Sequence, residues 1–257
     1  MKTALVTGST SGIGLAIAEK LAKAGFNLCI NGFGDLQEIN KLCLQLSDEF
    51  NITTVYHPAD LSKKEQVTEL IEYTYKTFNK IDVLVNNAGI QYVSPIEEFP
   101  DAKWQQIIDI NLSAVFYSIK HALPIMRQQQ WGRIINIAST HGQVASVNKS
   151  AYVASKHGII GLTKVTALET AGSGITCNAI CPGWVHTPLV QKQIDAIAEQ
   201  NHLTNEEATI KLLAEKQPSK IFTKPGDIGD MVVFLTTEAG NNITGTNLTL
   251  DGGWTAQ

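Results

Sequence analysis

The 257-residue sequence contains no apolar run near the roughly eighteen residues that an α-helix needs to span a bilayer, so we expect no membrane partner. Its four cysteines, at positions 29, 43, 177 and 181, include no CxxC pair. That spacing argues against a zinc site and favours buried, reduced thiols, as in a cytoplasmic protein. The formal net charge of −4 provides no basic field, so nucleic acid is not an expected partner either. No catalytic metal is predicted.

Apolar runs rich in β-branched residues alternate with helical patterns along the chain. The predicted strands are residues 3–7, 27–31, 53–57, 82–86, 133–138, 176–181 and 247–250. The predicted helices between them include residues 13–24, 63–78, 104–126 and 152–171. Continuous apolar strands separated by amphipathic helices are typical of a parallel sheet that helices cover on both faces. We therefore predict an α/β fold, a doubly wound, Rossmann-type parallel sheet of about seven strands in a single domain, residues 1–257.

Residues 187–222 interrupt this alternation. They are predicted to form two helices, around 189–200 and 205–215, after the carboxyl end of a strand. Ligands bind at that edge of such sheets, which favours a mobile helical lid over a substrate site. A helical pair used for contacts between subunits is the alternative.

A glycine-rich turn separates the first predicted strand from the first predicted helix, with the spacing Gly8-x-x-x-Gly12-x-Gly14. Glycines permit a tight turn and a close backbone approach, and the N–H groups of a helix N-terminus favour a pyrophosphate. The turn therefore predicts a dinucleotide site. Its candidate residues are Gly8, Thr10, Ser11, Gly12, Ile13 and Gly14.

The end of the second predicted strand bears on the choice between NAD and NADP. It has no acid at its tip and no Arg or Lys after it, and it continues into Phe33 and Asp35. A 2′-phosphate would lack its cation, which favours NAD. Asp35 is either a late ribose ligand or a helix N-cap. Further candidates follow the third and fourth strands: Asp60 and Leu61 near adenine, with an N-cap as the alternative for Asp60, and Asn87, Ala88 and Gly89 beside the cofactor.

Tyr152 and Lys156 are four residues apart in a predicted helix, so both side chains lie on one face. A fixed ammonium beside a phenol favours the phenolate, and such a tyrosine can exchange a proton with an alcohol or ketone oxygen. Ser139 ends the fifth strand, where its hydroxyl would point into the expected crevice. Asn111 lies inside an apolar helical run, which suggests a buried polar role.

Taken in this order, the motifs resemble the short-chain dehydrogenase/reductase family over essentially the whole chain. They are Thr7-Gly8-x-x-x-Gly12-Ile13-Gly14, Asn86-Asn87-Ala88-Gly89, Asn111, Ser139, Tyr152-x-x-x-Lys156 and Pro182-Gly183. The resemblance implies that Tyr152 is the general base in alcohol oxidation and the acid in ketone reduction, and that Ser139 hydrogen-bonds the substrate oxygen. Lys156 would lower the Tyr152 pKa and hold the nicotinamide ribose. Asn111 would support a water-mediated proton path to Lys156. By the same resemblance, the nicotinamide would contact Pro182, Gly183, Val185 and Thr187.

Within the family, other segments look like those of bacterial D-3-hydroxybutyrate dehydrogenases. They include Asn87-Ala-Gly-Ile-Gln91, Ala138-Ser-x-His141-Gly142, Cys181-Pro-Gly-Trp184 and Asp251-Gly-Gly-Trp254. The resemblance implies NAD-dependent interconversion of (R)-3-hydroxybutyrate and acetoacetate in a homotetramer. Ser139 and Tyr152 would contact the reacting oxygen, and the remaining substrate contacts would come from Gln91, His141, Lys149 and Gln193 at the carboxylate and from Trp184 and Trp254 along the pocket.

The residue types agree with a small hydroxy or keto acid, because its carboxylate needs a cation and amide donors close to the reacting carbon. Three alternatives remain open. One is a 3-oxoacyl-carrier-protein reductase, which predicts NADPH and a basic residue near the second strand. Another is a dehydrogenase of a larger 3-hydroxy acid. The third, from a different class, is a non-catalytic NAD-binding sensor, which predicts an incomplete catalytic set.

Overall fold

The protein is described by a computed structural model covering residues 1–256, apart from the side chains of Pro188 and Leu189. Seven strands form one parallel sheet in the order β3-β2-β1-β4-β5-β6-β7. The strands are β1 Thr3–Val6, β2 Asn27–Asn31, β3 Thr54–His57, β4 Val83–Asn86, β5 Gly132–Ile137, β6 Ile175–Pro182 and β7 Asn247–Leu250. The predicted fold class and strand count are confirmed, with strand ends that differ by no more than one residue.

Helices cover both faces of the sheet. They are α1 Gly12–Lys23, α2 Leu36–Phe50, α3 Lys64–Phe78, α4 Asp101–Ile108, α5 Ala114–Gln129, α6 Ser150–Thr170, α7 Pro188–Asn201, α8 Asn205–Ala214 and α9 Pro225–Thr236. No helix among the described residues is both long and apolar enough to cross a bilayer.

The alternation of side chains along each strand divides the interior into two cores. In β1, Ala4 and Val6 pack with α1, α2 and α9, whereas Leu5 points to the other face, toward α3, α5 and α6. Every residue of β1, β4, β5 and β6 is buried. Strands buried on both faces explain why these segments are continuous apolar runs in the sequence.

The helix predicted over residues 104–126 is not continuous. A π-helical turn, Asp109–Ser113, separates α4 from α5 and contains the fully buried Asn111. The Asn111 side chain is engaged with the backbone of Ile90, accepting from its N–H at 2.8 Å and donating to its carbonyl at 2.9 Å. Isolated π turns occur often at functional sites, and this one is set against the segment that leaves β4.

Helices α7 and α8 pack against each other through a small apolar cluster of their own, which includes Val190, Ile194, Ala208 and Leu212. The two chain segments that lead into and out of this pair are joined by a parallel bridge between Val185 and Thr223. The Thr223 N–H donates to the Trp184 carbonyl at 3.0 Å. The two predicted helices are therefore present, and both connect to the sheet beside the carboxyl end of β6.

Candidate active site

A cavity of about 800 Å³ opens at the carboxyl ends of the central strands. This is where a doubly wound sheet binds ligands, because the chain leaves β1 and β4 in opposite directions there. All but one of the predicted site residues line it: Gly8, Thr10, Ser11, Gly12, Ile13, Gly14, Phe33, Asp60, Leu61, Asn87, Ala88, Gly89, Gln91, Ser139, His141, Lys149, Tyr152, Lys156, Pro182, Gly183, Trp184, Val185, Thr187, Gln193 and Trp254. The exception, Asn111, lies directly behind the wall.

The glycine turn fits a dinucleotide pyrophosphate. Gly8 and Gly12 have positive φ angles of 62° and 57°, which side chains rarely tolerate. A Cβ at Gly14 would overlap the Gly8 carbonyl and the Asn87 amide, so only glycine allows this close packing. The extended residue before α1, Ser11, makes no side-chain cap bond. The first N–H groups of α1 are therefore available to an anion.

Among the described residues, no Lys or Arg side chain lines the cavity at the end of β2. Phe33 is 73% exposed, and its carbonyl accepts from the Thr10 hydroxyl at 2.8 Å. Asp35 caps α2 by accepting from the backbone N–H groups of Gln37 and Glu38, so its N-cap alternative is confirmed. Among the described cavity-lining side chains the Lys and Arg residues are Lys149 and Lys156, which contact Trp184 and Ile137 and not the end of β2. Asp60 is engaged locally, accepting from Ser62 N–H at 2.9 Å.

Tyr152, Lys156, Ser139 and Asn111 converge at the ends of β4 and β5. Lys156 is buried, and its ammonium donates to the Ile137 carbonyl at 2.8 Å. Asn111 donates to Ser155 Oγ at 3.3 Å, and a Cβ at Gly89 would contact both Asn111 and Lys156. Gly89 therefore packs directly against both polar side chains.

Burial raises the pKa of Tyr152, and a hydrogen bond with Ser139 acts in the opposite direction. This net shift is opposite to the one predicted from the spacing of Tyr152 and Lys156. The Lys156 ammonium lies 5.6 Å from the centre of the tyrosine ring and is directed at Ile137, so loss of solvent outweighs its charge. Burial also lowers the pKa of Lys156 to about 8.

A compact wall of rings and one cation lies on the other side of Tyr152. His141 packs edge-on against both Tyr152 and Trp254, with ring centroids 5.9 and 5.3 Å apart. Trp254 stacks on Trp184 at 6.3 Å, and the Lys149 ammonium is 5.7 Å above the Trp184 ring. Burial and the positive charge of Lys216 lower the Lys149 pKa. Gln91 and Gln193 line the same cavity, Gln91 exposed and Gln193 partly buried.

Three side chains beside this wall were not predicted from the sequence: Ser146, Lys216 and Gln217. Gln217 is fully buried and accepts from the Trp184 N–H at 3.0 Å, while its amide donates to the Ile221 carbonyl. It ties the end of α8 to the chain that follows β6. Lys216 donates to Ser146 Oγ at 2.6 Å. Neither Lys216 nor Gln217 belongs to a motif, and no spacing in the sequence predicts that position 216 lies next to position 146.

Two side chains, His186 and Thr187, make hydrogen bonds at the start of α7. Thr187 caps that helix by accepting from Val190 N–H at 3.4 Å. The exposed His186 contacts Gln191 Oε1 at 2.8 Å, and its ring lies 5.2 Å from that of Phe222. His186 therefore links the two ends of the helical pair. The described residues hold no group of three or more His, Cys, Asp or Glu side chains arranged for a metal ion.

Comparison with known proteins places this geometry in a family. A family model described as short chain dehydrogenase matches residues 2–198. The D-beta-hydroxybutyrate dehydrogenases of Cupriavidus necator and Rhizobium meliloti are 54% and 49% identical to this chain over 256 residues; the matches cover 100% of this chain and 98% and 99% of those proteins. A structure of L-sorbose reductase from Gluconobacter frateurii, described as complexed with NADPH and L-sorbose, is 28% identical with a TM-score of 0.94, covering 100% of this chain and 97% of that one.

The family match extends over the glycine turn, the ends of β4 and β5, and the Tyr152 and Lys156 pair, all of which line one cavity in this structure. The predicted family is therefore confirmed. This chain is an oxidoreductase that belongs to the short chain dehydrogenase family.

Proposed function

We propose that this enzyme interconverts (R)-3-hydroxybutyrate and acetoacetate with NAD, and that Tyr152 is its general base and acid. The observation that carries the substrate proposal is the position of Lys149. Its partly buried ammonium lies over Trp184, on the same cavity as Tyr152 and Ser139. A cation beside apolar rings and close to a proton-transfer group suits a short acid whose carboxylate lies near its hydroxyl. The names of the Cupriavidus and Rhizobium relatives support the same substrate.

The cavity fits a nicotinamide dinucleotide, since the glycine turn would hold its pyrophosphate and Asn87, Gly89 and Pro182 line the path between strand ends. When bound, this cofactor supplies the chemistry of accepting or returning a hydride. NAD is favoured over NADP because the described residues at the end of β2 provide no cation for a 2′-phosphate. The NADPH in the sorbose reductase structure belongs to a protein only 28% identical.

In the oxidation direction, Tyr152 takes the hydroxyl proton as the substrate carbon loses its hydride, so a ketone forms. Ser139 donates a hydrogen bond to the oxygen on which carbonyl character develops. Lys156 would hold the ribose of the bound cofactor, and its positive charge, 5.6 Å from the Tyr152 ring, would offset part of the burial that raises the Tyr152 pKa. Asn111 would complete a proton path through water. In reduction, Tyr152 returns the proton to the same oxygen.

Lys149, Gln91 and Gln193 are proposed to fix the carboxylate, while Trp184 and Trp254 limit the length of the acid. His141, which the sequence also assigned to the carboxylate, has Nδ1 3.5 Å from Ser139 Oγ and Nε2 2.8 Å from Ser146 Oγ, so its ring is proposed to line the pocket without donating to the acid. Residues 187–222, which contain helices α7 and α8, are proposed to act as a lid over the substrate site. Their separate apolar cluster and the short bridge at their base support movement as one unit. Closure of such a lid would exclude water from the reacting centre.

The assay that tests this function is NADH formation from (R)-3-hydroxybutyrate. We expect turnover with NAD, a kcat/KM about 100-fold lower with NADP because the missing cation costs a charge-assisted hydrogen bond, and no turnover of the (S) enantiomer. A preference for (R)-3-hydroxypentanoate would keep the mechanism and replace the substrate. Preference for NADPH with an acyl-carrier substrate would favour the reductase alternative. Tight NAD binding with no turnover of any of these would contradict the enzyme proposal and favour a sensor.

A homotetramer is proposed for the assembled enzyme. On α5 and α6, Phe116, Val165 and Leu168 are exposed, Leu168 by 79%, which suits helix contacts between subunits. We expect sedimentation to give a mass near four chains and Leu168→Glu to lower it. A monomeric wild type would contradict the proposal.

The four buried, unpaired cysteines support the proposed cytoplasmic location.

A further inference from the structure

Lys216 connects the helical pair α7–α8 to the wall of the cavity. It follows α8, and its ammonium donates to Ser146 Oγ at 2.6 Å, in the loop between β5 and α6. The same ammonium is 5.5 Å from the centre of the Trp254 ring. Its ion pair with Glu215 is longer, 3.8 Å, and the Glu215 side chain is mostly exposed. The contact with Ser146 is therefore the one that orients Lys216.

Ser146 passes this contact on to His141. Its Oγ lies 2.8 Å from His141 Nε2. An ammonium has donors and no acceptor, so Lys216 occupies a lone pair of Ser146 and turns the serine hydrogen away from itself. The serine hydrogen is then free to be donated to Nε2, and Nε2 accepts it when the imidazole is neutral with its proton on Nδ1. His141 is 5% exposed, and burial together with the charges of Lys149 and Lys216 lowers its pKa to about 4, which keeps the imidazole neutral.

A neutral imidazole that accepts at Nε2 carries its proton on Nδ1. His141 Nδ1 faces Ser139 Oγ at 3.5 Å, and the His141 backbone N–H donates to the same oxygen at 3.2 Å. In this tautomer, the Nδ1–H group and the backbone N–H of His141 both face Ser139 Oγ as donors. Its own hydroxyl hydrogen is thereby left for an acceptor on the cavity side, where Tyr152 lies and where the substrate oxygen is proposed to bind.

We propose that Lys216 is a positioning residue that, through Ser146, holds His141 in its Nδ1–H tautomer and so directs the Ser139 hydroxyl toward the reacting oxygen. The chain of donors runs in one direction from Lys216 to the cavity. Because Lys216 follows α8, the helical pair and the catalytic serine share this hydrogen-bonded chain. Only the kinetic consequence rests on the proposed substrate; the tautomer of His141 does not depend on it.

The tautomer can be measured in the full-length enzyme labelled with ¹⁵N-histidine. Two-bond ¹H–¹⁵N spectra should show His141 as the Nδ1–H tautomer in the wild type, and a larger Nε2–H fraction in Lys216→Met and Ser146→Ala. Ser146→Ala interrupts the chain without removing the charge. Lys216→Arg, which still donates, should keep the wild-type tautomer. Lys211→Met is the matched control, because this exposed lysine of α8 bonds Asn201 and not the cavity wall.

In kinetics, Lys216→Met should lower kcat about 10-fold with a smaller change in KM, because the lost orientation acts on the developing carbonyl oxygen. Lys216→Arg should recover most of kcat, and Lys211→Met should be unchanged. An unchanged His141 tautomer in Lys216→Met and Ser146→Ala would overturn the proposal, as would a rise in KM with an unchanged kcat. Absence of wild-type turnover with 3-hydroxybutyrate would instead reject the proposed substrate, and the spectra would still decide the role of Lys216.

Discussion

Replacing Tyr152 with phenylalanine is expected to lower kcat for (R)-3-hydroxybutyrate oxidation by about 1,000-fold, within the range that general acid–base groups contribute. The change removes one oxygen atom and keeps the ring that packs against His141. It therefore removes the proposed proton acceptor while the wall of the cavity stays in place. We expect a larger loss of turnover from this substitution than from a change at Lys149 or Lys216.

Cofactor binding separates loss of chemistry from loss of fold. In Tyr152→Phe, titration of NADH fluorescence should give a dissociation constant within a few-fold of the wild type, because the glycine turn and the end of β2 are untouched. Tyr75→Phe, which changes a tyrosine of α3 that does not line the cavity, is the matched control and should keep full activity. Substantial turnover in Tyr152→Phe would remove Tyr152 from the catalytic set.

Replacing Lys149 with alanine is expected to weaken substrate binding and to change chemistry little. A charge-assisted hydrogen bond to a carboxylate contributes about 2 kcal/mol, which is roughly a 30-fold loss in kcat/KM. The carboxylate does not react, so Lys149 holds the ground state and the transition state equally and the loss should appear mainly in KM. Lys149 is only partly buried, and solvent screening keeps the effect from being larger.

Steady-state kinetics at several substrate concentrations measure this division. Lys149→Arg should recover part of the lost binding because it keeps the charge, although the guanidinium is wider than the ammonium. Lys41→Ala removes an exposed lysine from α2 and should leave both constants unchanged. An unchanged KM in Lys149→Ala would exclude Lys149 from the carboxylate site and would leave the cavity without its proposed anion ligand.

The division between sequence and structure is clearest at the helix predicted over residues 104–126. An apolar periodicity near four residues does not distinguish an α-helix from one with a π turn, because one extra residue barely disturbs the pattern. The turn at Asp109–Ser113 exists where Asn111 meets the Ile90 backbone, a contact between residues far apart in sequence. The predicted direction of the Tyr152 pKa shift was wrong for a similar reason. The spacing of two residues on a helix does not show how deeply either side chain is buried.

The sequence by itself determined the parallel sheet, the glycine turn and the order of the proposed catalytic residues. Each of these depends on local patterns: buried strands are continuous apolar runs, and a tight turn against a pyrophosphate requires glycine. Only the tertiary structure decided that Lys216 and Ser146 join His141, that Gln217 ties α8 to Trp184, and that burial dominates the pKa of Tyr152. These depend on distances and on lost solvent between segments that meet only after folding, and no pattern within one segment encodes either quantity.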